Sequence, residues 1–402
     1  IWYISKYFAI PNKNSPPSRG FGLIEKFQRQ NVNCLVITSD SNNYDNIPKL
    51  SAKYTKLLIQ NINFIWIKTF KYRSSHSFKR IISWIDFEIK LFFLNTKNLI
   101  KPDLIIVSSL SLLTIINGIF LKFKFKCKLV FEIRDIWPLT LTAEGGYSKF
   151  NPFILVLSLI EYLGYRYSDV IIGTMPNLKE HVENITRNKK NVFCIPMGID
   201  LDSKHDEIKL DQGYIKKYIP KNKFIISYAG SIGISNNLDT FFETAKYFNE
   251  YANNIHFLIV GEGNLKPKFL KKYGYLSNLT FCPKITRSKI NSFLKHSSLL
   301  YFSTHDSLVW KYGQSLNKLT DYMHSARPII GSYSGYLSMI NEANCGQIVE
   351  NNNIKLLIEV IQKYSNYKKE ELDRIGQNGY LWIRKNRSYE KLASDYLNYI
   401  FK

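Results

Sequence analysis

The chain alternates short apolar runs with segments whose apolar residues recur every three to four positions. Ile1–Ser5 and Cys34–Thr38 are apolar runs of strand length, and Phe21–Gln30 between them carries a helical pattern. Phe64–Ile67, Leu104–Val107, Leu129–Ile133 and Val170–Ile172 predict further strands. Asn191–Asp200 (NVFCIPMGID) closes this half, and the Asp- and Lys-rich stretch Leu201–Tyr218 reads as a linker. The second half repeats the alternation. Phe224–Tyr228, His256–Val260, Leu279–Phe281, Leu299–Phe302 and Pro328–Gly331 predict strands, and helices fall near Leu238–Asn249, Ser288–Lys295, Leu316–Met323 and Asn353–Lys363. Strands alternating with helices imply parallel sheets wrapped by helices. The expected class is α/β: two Rossmann-like domains facing across a cleft, at 1–200 and 201–382, with a last helix at about 383–402 packed back onto the first. Leu104–Leu121 is the best candidate for a membrane span, but Ser108, Ser109, Ser111, Thr114 and Asn117 interrupt it, so it reads as a strand followed by a helix.

Composition adds a charge. There are 55 Lys+Arg against 32 Asp+Glu, a net +23, and 15% of residues are aromatic. Such a surface attracts nucleic acid, anionic lipid or phosphate-bearing substrates. Lys68–Lys101 holds eight Lys/Arg and two acids. Within it Phe78, Ile81, Ile82, Ile85, Ile89 and Phe92 form one helical stripe, and Trp84, Phe87, Leu91 and Leu94 form a second. One stripe suits a core and the other a lipid surface, or both are buried; periodicity does not say which. Lys122, Lys124, Lys126 and Lys128 add a basic cluster. The five cysteines are scattered with no CxxC pair, which argues against zinc or redox chemistry and suits a reducing cytoplasm.

Five segments carry candidate chemistry. YAGSIG (Tyr228–Gly233) and VGEGNLKP (Val260–Pro267) each link a strand to a helix, where glycine allows close backbone approach and free amides can meet an anion. They nominate Gly230, Ser231, Gly233, Gly261, Glu262 and Gly263 for a donor site, with Lys284 beside them; close packing alone also explains such glycines. Lys311–Ile330 (KYGQSLNKLTDYMHSARPII) is a loop opening into a helix. Its amides at Gly313, Gln314, Ser315 and Leu316 suit a diphosphate, Lys318 suits a phosphate and Asp321 a ribose. A surface Lys318–Asp321 salt bridge is the alternative. FEIRDIWP (Phe131–Pro138) places Arg134 and Asp135 at a strand end, with Trp137 and Pro138 stiffening the turn. PPSRGFGLIEKF (Pro16–Phe27) places Ser18, Arg19 and Gly20 at a helix start, a natural anion or substrate site.

In their order along the chain the segments resemble family 4 glycosyltransferases, in the bacterial polysaccharide branch that includes N-acetylfucosamine transferases of O-antigen and capsule assembly. The resemblance rests on Ser18–Arg19, Phe131–Pro138, Ile195–Asp200, Tyr228–Asp239, Val260–Gly263 and Tyr312–Pro328, and covers nearly the whole chain. It implies a GT-B fold and retaining transfer of a sugar, such as an N-acetylated deoxyhexosamine, from a UDP-type donor, with no metal or cofactor. It implies a lipid-linked saccharide acceptor at the cytoplasmic face of the inner membrane, bound peripherally, and no nucleic-acid partner. Under it Asp135 orients the sugar or acceptor hydroxyl, Arg134 binds an anion or the acceptor, and Lys318 meets the leaving diphosphate. Ser18, Arg19, Gly20, Trp137 and Glu144 serve the acceptor. Departures are clear. The family's Glu-x7-Glu pair falls on Gly313 and Asp321, its diphosphate Arg and Lys on Ser231 and Asn236, and its His on Arg134, which cannot act as a base. A GT-B phosphorylase or epimerase, a silent partner subunit and a nucleic-acid-binding protein remain alternatives on the residues alone.

Overall fold

The computed structural model describes residues 1–11, 18–41, 47–72, 78–109, 111–202, 208–252 and 254–401. Pro16 and Pro17, and residues 203–207 of the expected linker, lie outside the described residues. The first sheet contains β1 (Trp2–Ile4), β2 (Leu35–Ser39), β3 (Tyr54–Ile59), β4 (Ile62–Ile67), β5 (Leu104–Ser108), β6 (Lys128–Ile133), β7 (Val170–Gly173) and β8 (Val192–Cys194). Its order is β3-β4-β2-β1-β5-β6-β7-β8, parallel except for the β3–β4 hairpin. The hairpin escapes the sequence pattern because its turn, Gln60–Asn61, takes positive φ at both residues without the usual Asn-Gly pair. Around this sheet lie α1 (Arg19–Arg29), α2 (Lys79–Phe92), α3 (Thr114–Phe125), α4 (Leu139–Ala143), α5 (Pro152–Tyr167) and α6 (Leu178–Thr186).

Helix α7 (Gln212–Tyr218) leads into a second sheet of β9 (Phe224–Ala229), β10 (Ile255–Val260), β11 (Leu279–Cys282), β12 (Leu299–Ser303), β13 (Ile329–Ser332) and β14 (Gly346–Val349). All its pairs are parallel, in the order β11-β10-β9-β12-β13-β14. Its helices are α8 (Asp239–Tyr251), α9 (Lys266–Tyr273), α10 (Ile290–Leu294), α11 (Asn317–His324), α12 (Met339–Glu342), α13 (Ile354–Ser365) and α14 (Lys369–Arg387). The strand order reverses between β1 and β5 in one sheet and between β9 and β12 in the other, the points where such sheets open a crevice for ligands.

The last helix, α15 (Tyr389–Phe401), returns to the first sheet. Tyr396 meets Phe27 of α1 at 5.4 Å, and Tyr399 stacks on Phe193 at 4.2 Å. At the crossing, Ile199 N–H donates to Arg387 O and Tyr389 N–H to Ile199 O.

Helix α2 resolves the two stripes. Phe87 and Leu91 are in the core of the first sheet and Trp84 is buried beside them, so this stripe is not a lipid surface. The opposite stripe is open: Phe78 is 73% exposed, Ile85 48%, Ile89 53% and Phe92 49%. Ile116, Phe120 and Phe123 of α3 extend it, with Phe92 and Phe120 rings 4.7 Å apart. Among the described residues no helix is long and apolar enough to cross a membrane.

Candidate active site

On the second sheet the site forms where β9 and β12 part. Tyr228, next to last in β9, has its ring buried and its hydroxyl donating to Ser231 O at 2.6 Å. Lys318, one residue inside α11, brings its ammonium over this ring at 4.7 Å from the centroid. The ammonium donates to Tyr228 Oη at 3.1 Å and to Asn236 Oδ1. Asn236 in turn donates to Ser231 O and Oγ, both at 2.9 Å. No described carboxylate lies within ion-pair distance of Lys318. Desolvation therefore acts unopposed and pushes its pKa down to about 7.

The alternative reading, a Lys318–Asp321 salt bridge, does not form. Asp321 faces Arg287 at 3.7 Å instead. The donor-loop amides also need correction at one position: Gly313 N–H already donates to Trp310 O, so it is not available to a diphosphate. Gly313 has φ +98, and a Cβ there would lie 2.5 Å from Pro176 of the first domain. Ser315 Oγ accepts from Met197 N–H at 2.9 Å, and Gln314 Nε2 donates to Ser338 Oγ at 2.9 Å. Leu316 starts α11 without a side-chain cap, which leaves the helix's first amides to another acceptor. Gly261 and Gly263 serve packing: added Cβ atoms would meet Gly230 O at 1.8 Å and Ile232 O at 2.1 Å, so the β9 and β10 loops touch backbone to backbone. A 3-10 turn, Ile234–Asn236, intervenes between Gly233 and α8, so these glycines do not open directly into that helix. Glu262 pairs with Lys266 at 2.7 Å on the surface, and Lys284 is exposed beyond edge strand β11.

On the first sheet, Arg134 and Asp135 follow β6. The Arg134 amide donates to Ser109 Oγ at 3.0 Å, tying this turn to the end of β5. Asp135 is exposed by surface, yet the surrounding protein still desolvates its carboxylate. Desolvation raises its pKa, while Arg134 and then Arg80 pull it back. Trp137, joined to Pro138 by a cis peptide bond, meets Trp84 edge-on at 5.7 Å.

The Ser18–Gly20 group is corrected. Ser18 caps α1 by accepting from Phe21 N–H and donates to Ala9 O at 2.8 Å. Arg19 is 2% exposed and spends its guanidinium on Glu132 (2.7 Å), Ile195 O (2.7 Å) and Pro196 O (3.2 Å). Gly20 packs on Phe8. A helix start looks exposed in sequence, but this one lies against the segment that follows β8, so Arg19 is a buried strut rather than an acceptor contact.

The domains meet at these loops. The 3-10 turn Leu308–Tyr312 seats Val309 and Tyr312 against the first domain's core, and Asn177 N–H donates to Tyr312 O at 3.0 Å. Lys311 pairs with Glu180, and Glu144 faces His305 at 3.8 Å across the cleft. Sequence did not single out Tyr228, His305 or Arg80, and it marked Asn236 only as a position where the family's cation is missing. For Tyr228, only its place inside Tyr228–Asp239 could have flagged it.

Residues 214–382 match the family described as "Glycosyl transferases group 1". No curated protein sequence matches the chain. Among solved structures, the fold is similar to E. coli trehalose-6-phosphate protein bound with UDP-2-fluoro glucose: TM-score 0.73, 12% identity, over 99% of this chain and 98% of that one. Anabaena HepE in complex with UDP and glucose gives 0.62, 10%, 99% and 98%. WaaG, a glycosyltransferase involved in lipopolysaccharide biosynthesis, gives 0.65, 13%, 99% and 99%. The chain thus has the GT-B fold, and residues 214–382 of its second half match a glycosyltransferase family.

Proposed function

We propose that the protein is a retaining glycosyltransferase that takes a sugar from UDP and adds it to a lipid-linked saccharide in surface polysaccharide synthesis. One observation carries the donor half of this reading. Lys318 is a desolvated cation with no carboxylate, placed at the strand-order reversal beside uncapped helix amides. That arrangement stabilises charge developing on a leaving diphosphate without a metal. The similar structures holding UDP or a UDP sugar support the choice of nucleotide. Asp135 is then the group that orients the acceptor hydroxyl, with Arg134 beside it. Domain 1–200 with α15 takes the acceptor, and 201–382 the donor.

UDP is expected to raise the melting temperature. At a hundredfold excess over Kd the stabilisation is about 2.7 kcal/mol, or roughly 5–10 °C for domains of this size. The shift and sugar transfer are both expected to persist in EDTA. No shift with UDP, GDP or dTDP at millimolar concentration would remove the reading.

Membrane seating is the second half of the proposal. The open stripe of α2 and α3 lies beside Lys79, Lys97, Lys101 and Lys124, a charge pattern suited to anionic lipid. Replacing Ile85, Ile89 and Phe92 with Ser is expected to weaken sedimentation with phosphatidylglycerol vesicles and leave the melting temperature near wild type. Trp84→Ser should instead destabilise the fold. Unchanged vesicle binding in the triple variant would exclude this face.

A further inference from the structure

Helix α2 has an inner end that the donor and acceptor assignments leave unused. Arg80 lies in its first turn, next to the exposed Phe78 and Ile82 of the lipid-suited face. Its guanidinium sits 5.0 Å over the Trp84 ring and 5.9 Å over the Tyr7 ring, and its Nε donates to Tyr7 Oη at 3.3 Å. Tyr7 Oη also accepts from Trp84 Nε1 at 2.7 Å and meets Tyr72 Oη at 3.1 Å. Trp137 packs edge-on against Trp84, and Asp135 lies two residues before it. Tyr7, Tyr72, Arg80 and Trp137 are each only half-buried. A cation held by aromatic faces and a tyrosine oxygen keeps a fixed position, and a guanidinium suits phosphate better than an ammonium does.

We propose that this cluster binds a phosphate group of the acceptor, with Arg80 as its cation and the Trp137 ring as the face for the adjoining sugar. The proposal rests on the glycosyltransferase reading. It gives the acceptor a direction: lipid against the open stripe of α2, phosphate at Arg80 in the same helix's first turn, sugar on Trp137, and the reacting hydroxyl at Asp135. The phosphate chemistry is shared by the acceptor's own linkage and by bulk lipid headgroups, and the two are separable.

Binding of farnesyl diphosphate and of inorganic pyrophosphate is followed by tryptophan fluorescence, with UDP present to fill the donor side. Saturable binding of both by the wild type is expected. Arg80→Gln should weaken each by about 10- to 100-fold, the factor for a lost charge-assisted hydrogen bond, and leave the UDP-induced thermal shift unchanged. Arg80→Lys should fall between, and it carries the test if the Gln variant does not fold. Equal affinity in wild type and both variants overturns the proposal, as does no binding by the wild type. Loss of phosphatidylglycerol vesicle binding without loss of soluble diphosphate binding also overturns it, because Arg80 then serves headgroups only. If pyrophosphate binds through Arg80 but UDP gives no shift in the wild type, the glycosyltransferase reading fails while the phosphate site stands.

Discussion

Lys318→Met is expected to lower sugar transfer by about 10²–10³-fold, the scale for removing one preorganised donor from a developing charge, while making the unliganded protein more stable. The two effects share a cause. The ammonium is desolvated and, among the described residues, held by Tyr228 Oη and Asn236 Oδ1, neither of which carries charge. A half-buried charge without a counter-charge is costly, so a similar-sized apolar side chain should gain roughly 1 kcal/mol. UDP should bind the variant at least tenfold more weakly, whereas uridine should be nearly unaffected. The pH dependence follows the same group. Below about pH 7 Lys318 is protonated both folded and unfolded, and its penalty is fully present. From about 7 to about 10.4 the unfolded chain holds the extra proton, so stability should rise with pH across that window. The diphosphate needs the charged form, so UDP affinity should fall as pH rises through neutrality. In Lys318→Met both slopes should flatten. Calorimetric titrations of UDP at several pH values measure this; a variant with wild-type turnover and an unchanged pH slope would take Lys318 out of the site.

The relocation of that charge explains why sequence alone could not place it. The family's diphosphate cations fall on Ser231 and Asn236, which looks like a loss. In the fold, Asn236 accepts a hydrogen bond from an ammonium 82 residues further along, carried on α11. The local pattern of Lys311–Ile330 made Lys318 visible as a cation at a helix start, but not its partners. Its apparent i,i+3 partner Asp321 turns to Arg287 instead, a choice set by tertiary packing.

Strands such as β5 and β9 were legible because both faces are buried and their sequences are apolar but for Ser108 and Ser227. β3 was not, because its Tyr54–Ile59 run has no fully buried position and includes the exposed Lys56 and Leu58. The stripes of α2 show the same limit. Periodicity found both, while only the neighbouring strands decide which one is covered.

Glu132→Ala is expected to cost about 3–5 kcal/mol of stability, the usual penalty for stranding one partner of a buried pair. Its carboxylate is wholly buried and accepts from Arg19 at 2.7 Å, Tyr3 at 2.9 Å and Tyr396 at 3.5 Å, so β1, α1, β6 and α15 meet on one group. Burial alone would raise its pKa. Arg19, Arg134 and the Tyr3 hydroxyl together outweigh burial, and the net direction is down. The stability this pair gives is therefore present above the ordinary glutamate range and lost as pH falls through the lower folded value. The variant's deficit against wild type should shrink in acid. Arg19→Met in the Glu132→Ala background should recover part of the loss, because no buried guanidinium is then left without a counter-charge. The same pair decides what Arg19 is for. Were it an acceptor contact, Arg19→Lys would raise the acceptor KM at a normal melting temperature. As a strut between β6 and the carbonyls of Ile195 and Pro196, it should lower the melting temperature and leave KM unchanged at a permissive temperature. Thermal melts alongside acceptor titrations separate these outcomes, and a raised KM with full stability would return Arg19 to the acceptor site.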